Sequence, residues 1–150
     1  MIDEPRGEGS VVVEREFRCR PDLLWRALTE PHLIAEWLMQ NDFLPQTGHR
    51  FSLNADWGSV SCEVQIVEPK QRLSYRWDTK DLRSVVTWTL APTATGTLLR
   101  MEQVGFQPQQ TAYHRGAMAG WPRFLTALET VVARIAATGS TEPPEQGAEE

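Results

Sequence analysis

The chain has 150 residues, of which 41% are hydrophobic and 23% are charged, and its formal net charge is −5. This length favours one domain whose core needs no metal or disulfide, and no apolar run reaches the roughly 20 residues of a membrane helix. The negative charge lies at the ends, so residues 11–137 are close to neutral and show no concentrated basic face. This distribution argues against a nucleic-acid partner and against membrane insertion.

Both ends have compositions typical of disordered segments. Residues 1–10 lack the apolar stretch of a signal peptide, which favours a cytoplasmic location. Residues 138–150 carry four glutamates and no aromatic or branched apolar side chain that could offset the entropy of ordering. The sequence therefore predicts a disordered tail over residues 1–10, one domain over residues 11–137 and a disordered acidic tail over residues 138–150.

A strand and two short helices are predicted at the start of the domain. Residues 11–18 are a β-branched run ending near Phe17, which is typical of a strand. Pro21 and Pro31 each suit the first position of a helix, and apolar residues recur at helical spacing after both. Cys19 and Cys62 lie far apart, so we interpret them as small apolar side chains rather than as a disulfide or a redox pair.

An antiparallel meander with one buried face is predicted next, because apolar and polar residues alternate in short runs after Gly48. Turns are predicted at residues 56–58, where Trp57 would lie at a hairpin tip, and at residues 68–71 and 92–96. The residues predicted to face inward are Phe51, Leu53, Val60, Cys62, Val64, Ile66, Leu73, Tyr75, Trp77, Val86, Trp88, Leu90, Leu99 and Met101.

The last predicted element is a long amphipathic helix from about His114 to Ile135, whose apolar residues recur at steps of three and four. Pro122 interrupts it, because proline has no N–H to bond the carbonyl of Met118 and its ring crowds that turn. We expect a kink at Pro122, with a new helix beginning there as the alternative.

This element order is that of the helix-grip fold, and several motifs point to one family. Residues 21–31, PDLLWRALTEP, resemble its opening P-x-x-x-W-x-A-L-T-x-P signature, and residues 72–77, RLSYRW, resemble its R-L-x-Y-x-W strand. Trp37, Gly96-Thr97, Gly105-Phe106 and Gly120-Trp121 fit the other landmarks. Residues 11–137 thus resemble the SRPBCC (START-like, Bet v 1-like) superfamily, in the branch of homologues of the activator of heat-shock protein 90 ATPase.

The resemblance implies an α+β fold in which a curved antiparallel sheet wraps around a long C-terminal helix, with two short helices after the first strand. Such domains often hold a cavity for apolar ligands between the sheet and the helix. The superfamily includes lipid and polyketide binders, cyclases, a self-sacrificing resistance protein and chaperone co-activators. Pro122 departs from the family pattern and bears on the straightness of the helix and the shape of the cavity mouth.

The motifs of catalysis and metal binding are missing from the sequence. No H-x-x-x-H, C-x-x-C, G-x-S-x-G or phosphate-binding glycine motif is present, so we predict no metal, no cofactor and no catalytic residue. His32 and His49 are expected at the surface. His114 lies on the apolar stripe, where it is either a hydrogen-bonded lining residue or a general base. Gln103 shares the inward phase, so it either orients a ligand or lies at a strand end in water.

Six tryptophans in a chain of this length favour an aromatic-lined cavity, although the core is an alternative for each of them. We assign Trp25 to the fold and expect Trp37, Trp57 and Trp121 near the mouth. The predicted ligand-binding residues are Trp37, Phe51, Trp77, Trp88, Met101, Gln103, His114, Met118 and Trp121.

From these observations we expect a module that binds a small hydrophobic molecule of lipid, polyketide or aromatic type, with little or no catalysis. Two alternatives stay open. One is a protein-interaction module, either resembling chaperone co-activators or acting as the partner of a regulator, and the other is a cyclase- or hydrolase-type enzyme that uses His114.

Overall fold

The computed structural model describes residues 9–138, so most of the tails predicted over residues 1–10 and 138–150 lies outside the described part. Of the remainder, Ser10 belongs to the first strand and Thr138 is the last residue of the final helix. The elements follow one another in this order: β1 (Ser10–Phe17), α1 (Pro21–Thr29), α2 (Pro31–Trp37), β2 (Gln40–Asn41), β3 (Arg50–Ala55), β4 (Gly58–Glu68), β5 (Arg72–Asp78), β6 (Arg83–Pro92), β7 (Thr97–Val104) and α3 (Thr111–Thr138).

The seven strands form one antiparallel sheet in the order β1-β7-β6-β5-β4-β3-β2. Strands β3 to β7 are a meander of neighbours, and β1 closes it by pairing with β7 from Ser10 opposite Val104 to Phe17 opposite Thr97. Helix α3 packs against α1, α2 and β1. This is the predicted helix-grip architecture, with the two-residue strand β2 as an element that the sequence did not reveal. No helix within residues 9–138 is both long enough and apolar enough to cross a membrane.

Strand β4 differs from its predicted alternation at Ile66. The pairing of β4 with β5 shifts between Val64 and Ile66, where a bulge places an extra residue in β4. Past the bulge Ile66 and Val67 are both half-buried, but it is Val67 that lies opposite the buried Leu73 and packs against the core, while Ile66 lies opposite Ser74. The prediction that Ile66 faces inward with Val64 is therefore wrong, because one extra residue exchanges the two faces of a strand.

Helix α3 continues through Pro122 as a single helix and does not restart there. Two hydrogen bonds satisfy polar groups at this turn. The carbonyl of Pro122 accepts a bond from the Thr126 hydroxyl at 3.1 Å, and the Arg15 guanidinium of β1 donates to Thr126 Oγ1 at 3.0 Å. Strand β1 thus holds the helix at the turn that follows the proline.

Candidate functional site

The centre of the space between the sheet and α3 is filled by packed side chains. The Trp88 ring meets Trp37 edge-on at 5.6 Å between ring centroids and Trp121 at 5.7 Å. Phe51 and Met101 are also buried. The structure therefore places Trp37, Phe51, Trp88 and Met101 in the core, the alternative that the sequence left open for the tryptophans.

Gln103 fastens α3 to the sheet through a chain of hydrogen bonds. It is 2% exposed, and its Oε1 accepts a bond from Trp121 Nε1 at 2.8 Å. Its Nε2 donates to Ser84 Oγ at 3.0 Å, and the Ser84 hydroxyl donates to the carbonyl of Trp77 at 2.6 Å. Because a buried polar group is costly when unpaired, this chain fixes the Trp121 ring beside Trp77. Gln103 is thus neither at a strand end in water nor free to orient a ligand.

Burial favours the neutral forms of one tyrosine and of both cysteines. Burial raises the pKa of the Tyr75 phenol, whose oxygen accepts a hydrogen bond from Trp88 Nε1 at 3.0 Å. Burial likewise raises the pKa of the Cys62 thiol and, together with the nearby Asp22, that of Cys19. Both cysteines are free, and neither has the lowered pKa of an activated thiol.

An apolar cleft of about 410 Å³ lies where the core reaches the surface, between the first half of α3 and the ends of β3, β4 and β5. We call it the aromatic cleft, because aromatic rings make up much of its wall. Its lining residues are Met39, Trp57, Trp77, Thr79, Lys80, Leu82, Tyr113, Gly116, Ala117, Gly120, Trp121 and Phe124. The volume and the apolar character are typical of small-molecule sites.

The aromatic rings on the two sides of the cleft differ in how closely they are packed. Trp121 contacts Trp77 at 5.1 Å and Phe124 at 5.5 Å between ring centroids, so these three rings continue the packed core. Trp57 lies at the tip of the β3–β4 hairpin, as the sequence predicted, and is 65% exposed. One side of the cleft is therefore rigid, while the other carries a large apolar side chain in water.

The helix side of the cleft is kept open by small residues, Gly116, Ala117 and Gly120. A Cβ placed on Gly116 or Gly120 would meet no atom of another element within 4 Å. Space for a ligand therefore exists here because Gly116 and Gly120 carry no side chain.

Gly120→Ala is expected to raise the free energy of unfolding by roughly 0.5–1 kcal/mol, because glycine is a poor helix former and the added methyl group meets no neighbour. Equilibrium urea unfolding measures the change. Ala119→Gly on the neighbouring exposed position should cost a similar amount. A loss of stability in Gly120→Ala would show that the space beside this helix turn is not open.

The rim of the cleft is a loop that its own hydrogen bonds hold in place. The Thr79 N–H donates to the Leu82 carbonyl at 3.0 Å, and the Thr79 carbonyl accepts a bond from Arg83 Nη1 at 2.7 Å. On the helix side, Gln110 Nε2 donates to the Asp81 carbonyl at 2.8 Å. These bonds fix residues 79–82 against the start of α3.

His114 and Met118 lie outside the aromatic cleft, in a groove along β1 that Pro122 also lines. The Ser10 carbonyl can only accept, so His114 Nε2 donates to it at 2.8 Å. The ring also meets Phe106 edge-on, and Met118 is 50% exposed. Of the two roles considered for His114, the structure supports that of a hydrogen-bonded residue.

A larger depression of about 710 Å³ lies between the start of α1 and the β4–β5 turn. Four of its five charged groups already pair with one another, Arg20 with Asp22 and Arg72 with Glu68, each with 3.1 Å between N and O; the fifth is Lys70. Paired charges at a surface leave little to recognise a ligand. Within residues 9–138 no group of three metal-ligating side chains comes together.

Of the predicted ligand-binding residues, the structure brings only Trp77 and Trp121 into the cleft. The sequence did not predict the rim residues Thr79 and Lys80, because the polar loop after β5 has no periodic pattern that assigns its side chains to one face. The residues of α3 that line the cleft do show a pattern in the sequence. Gly116, Gly120 and Phe124 are spaced by four, so they share one face of α3.

The sequence profile of a family described as activator of Hsp90 ATPase homolog 1-like protein matches residues 18–133. A search among curated proteins gives no significant match.

Solved structures are similar over most of the chain. Protein MLL2253 from Mesorhizobium loti is 56% identical, with a TM-score of 0.82 over 83% of this chain and 97% of its own. DynU16, from the dynemicin biosynthetic locus, is 27% identical, with a TM-score of 0.75 over 89% of this chain and 49% of its own. The Aha1 dimer from Colwellia psychrerythraea shares the fold, with 13% identity and a TM-score of 0.75 over 82% of this chain and 95% of that chain.

Proposed function

This chain belongs to the family of activator of Hsp90 ATPase homolog 1-like proteins, and from that premise we propose that it binds a small hydrophobic molecule in the aromatic cleft. The observation that carries the proposal is the cleft itself. An apolar space of about 410 Å³ is lined by aromatic rings and kept open by glycines on a helix. The proposed class of ligand is the one that the sequence predicted. The proposed site differs, because the cleft lies at one end of the fold and not at its centre.

The cleft is suited to aromatic or other flat apolar ligands. The Trp121 ring is held by its hydrogen bond to Gln103, and the Trp77 ring packs on it at 5.1 Å between centroids, so both rings lose little freedom when a ligand packs on them. Trp57 is exposed at the opposite side and can cover a ligand, which would remove its apolar surface from water. The similarity to DynU16, a protein from the dynemicin biosynthetic locus, agrees with a small-molecule ligand.

Titration with N-phenyl-1-naphthylamine, a neutral aromatic probe whose emission rises in apolar surroundings, tests the proposal. We expect saturable binding to the wild-type protein. Gly120→Leu should weaken it at least about tenfold, because the new side chain fills the space in front of this residue, and tenfold corresponds to 1.4 kcal/mol. Isothermal calorimetry with the same probe gives an independent Kd.

Ala119→Leu is the matched control. It adds the same side chain one residue earlier, at an exposed position that does not line the cleft, and should leave the Kd unchanged. Saturable binding that Gly120→Leu leaves intact would place the probe elsewhere, and the absence of saturable binding to the wild type would rule the proposal out.

The other two candidate functions have weaker support. Val12 and Met118 are exposed beside β1, but single exposed apolar side chains are common on proteins with no partner at that place. The edge of β1 is also tied to α3 through the His114–Ser10 bond and the Arg15–Thr126 bond. His114 lies in the groove along β1 and not in the aromatic cleft, so catalysis by this residue on a ligand bound in the cleft is not favoured either. Neither alternative is carried by a specific feature of the described residues.

A further inference from the structure

The wall of the aromatic cleft contains one hydroxyl group that the protein does not satisfy. Thr79 Oγ1 is buried and has no hydrogen-bond partner within residues 9–138. The Thr79 backbone, by contrast, is fully engaged, because its N–H bonds Leu82 and its carbonyl bonds Arg83. Buried hydroxyls are almost always paired, so an unpaired one in a cleft wall indicates a partner that comes from outside the chain.

The next residue supplies an unpaired positive charge. Lys80 lines the same cleft and forms no ion pair within the described part of the chain. Asp81 accepts a bond from the Tyr113 hydroxyl at 3.4 Å and keeps its negative charge. Arg83 is a second cation of the same loop, and its Nη1 donates to the Thr79 carbonyl at 2.7 Å. Residues 79–83 therefore carry a net charge of +1.

We propose that the aromatic cleft selects ligands that carry an anionic oxygen group on an aromatic frame, with Thr79 and Lys80 as the residues that recognise this group. The ring system packs between Trp57, Trp77 and Trp121, the Thr79 hydroxyl donates to one oxygen, and the Lys80 ammonium pairs with the charge. Aryl carboxylates, phenolates and aryl sulfonates share this chemistry. The inference rests on the proposed function, since it assigns the specificity of the same cleft.

The geometry gives each residue a separate part in this recognition. The backbone of the rim loop is fixed by its own hydrogen bonds, so the buried Thr79 hydroxyl needs only a rotation of its side chain to reach a ligand oxygen. A hydrogen bond to a charged acceptor is stronger than one to a neutral acceptor, and the apolar walls reduce competition from water. Lys80 is exposed, so its contribution should fall as salt increases, whereas that of Thr79 should not.

A pair of probes that share one aromatic frame tests the inference. 1-Anilinonaphthalene-8-sulfonate carries an anionic group, and N-phenyl-1-naphthylamine is the same frame without it. We expect the wild-type protein to bind the sulfonate about tenfold more tightly, a ratio that corresponds to 1.4 kcal/mol. Thr79→Val and Lys80→Gln should each weaken sulfonate binding several-fold and change the Kd of the neutral probe much less, so that the ratio of the two Kd values falls. Raising the salt concentration should lower the ratio for wild type and Thr79→Val, but not for Lys80→Gln.

Matched controls exist on the far side of the molecule. Lys70→Gln and Thr89→Val make the same substitutions in the charged depression beside α1, and both should behave as the wild type does. Gly120→Leu should lose both probes, which places the sulfonate in the cleft. Urea unfolding of each variant confirms that it is folded.

The outcomes separate the two proposals. Equal binding of the two probes, with Gly120→Leu losing both, would overturn the inference and leave the proposed function standing. A preference for the sulfonate that survives both Thr79→Val and Lys80→Gln would also overturn it, because the charge would then be recognised elsewhere. Failure of both probes to bind would remove the proposed function and the inference with it.

Discussion

Trp88→Ala is expected to lower the free energy of unfolding by about 3–5 kcal/mol, the largest stability effect that the structure predicts. Trp88 is fully buried between Trp37 and Trp121, and its indole N–H donates to the Tyr75 hydroxyl. Alanine would leave a large cavity and would remove that hydrogen bond as well. Equilibrium urea unfolding, followed by circular dichroism, measures the loss.

Trp57→Ala provides the matched control, because the same side chain is removed from an exposed hairpin tip. Its effect on stability should stay within about 0.5 kcal/mol. The comparison also tests how the centre of the fold is occupied. A cost below about 1 kcal/mol for Trp88→Ala would indicate an interior that is open around this ring, and hence a central cavity of the kind that the sequence suggested.

Gly105→Ala is expected to cost about 3 kcal/mol, through backbone strain and a steric clash together. Gly105 follows β7 with φ of +125°, a conformation that residues with a side chain rarely adopt. An added Cβ would also lie 2.4 Å from the carbonyl oxygen of Arg83 and 2.9 Å from the Cα of Ser84. Because the Ser84 hydroxyl accepts a hydrogen bond from Gln103, a displacement of Ser84 would disturb the series of hydrogen bonds that holds Trp121.

Gly48→Ala separates the two causes. Gly48 also has a positive φ, +89°, but a Cβ there would meet nothing within 4 Å. The loss should therefore be about 1 kcal/mol, from strain alone. Urea unfolding of both variants gives the comparison, and equal losses would contradict the role assigned to the contact with Arg83. Gly105→Ala should also weaken probe binding in the cleft, which Gly48→Ala should not do.

Most of the fold could be predicted from short-range patterns. The alternation around Tyr75 and Trp88 placed both side chains inward, and the prolines at residues 21 and 31 placed the starts of two helices, as the structure has them. Each of these signals depends on a few neighbouring residues. The bulge before Ile66 escaped because an extra residue inside an apolar run leaves the composition of that run unchanged.

The candidate site could be predicted only in part. Trp77 and Trp121 were recognised as residues that line a space, and Trp57 was placed at its mouth. Whether an inward-facing ring forms core or wall depends, however, on where it lies along the packed core. Trp88 and Trp121 each meet two tryptophans, but Trp88 does not line the cleft and is fully buried, whereas Trp121 borders the cleft and is 2% exposed. His114 followed the helical period of the apolar stripe, but the end of the helix that carries it extends beyond the core along β1.

The sequence by itself determined the family, the order of the elements and the faces that most strands bury, because these follow from local periodicity and from short motifs. Only the tertiary structure decided that the centre is filled, that Gln103 is used within the protein and that the open space lies at one end. It also placed Thr79 and Lys80 in the same cleft as glycines of α3 that lie some 40 residues further along the chain. This proximity depends on how the sheet curves around the helix, and a pattern of neighbouring residues carries no information about that curvature.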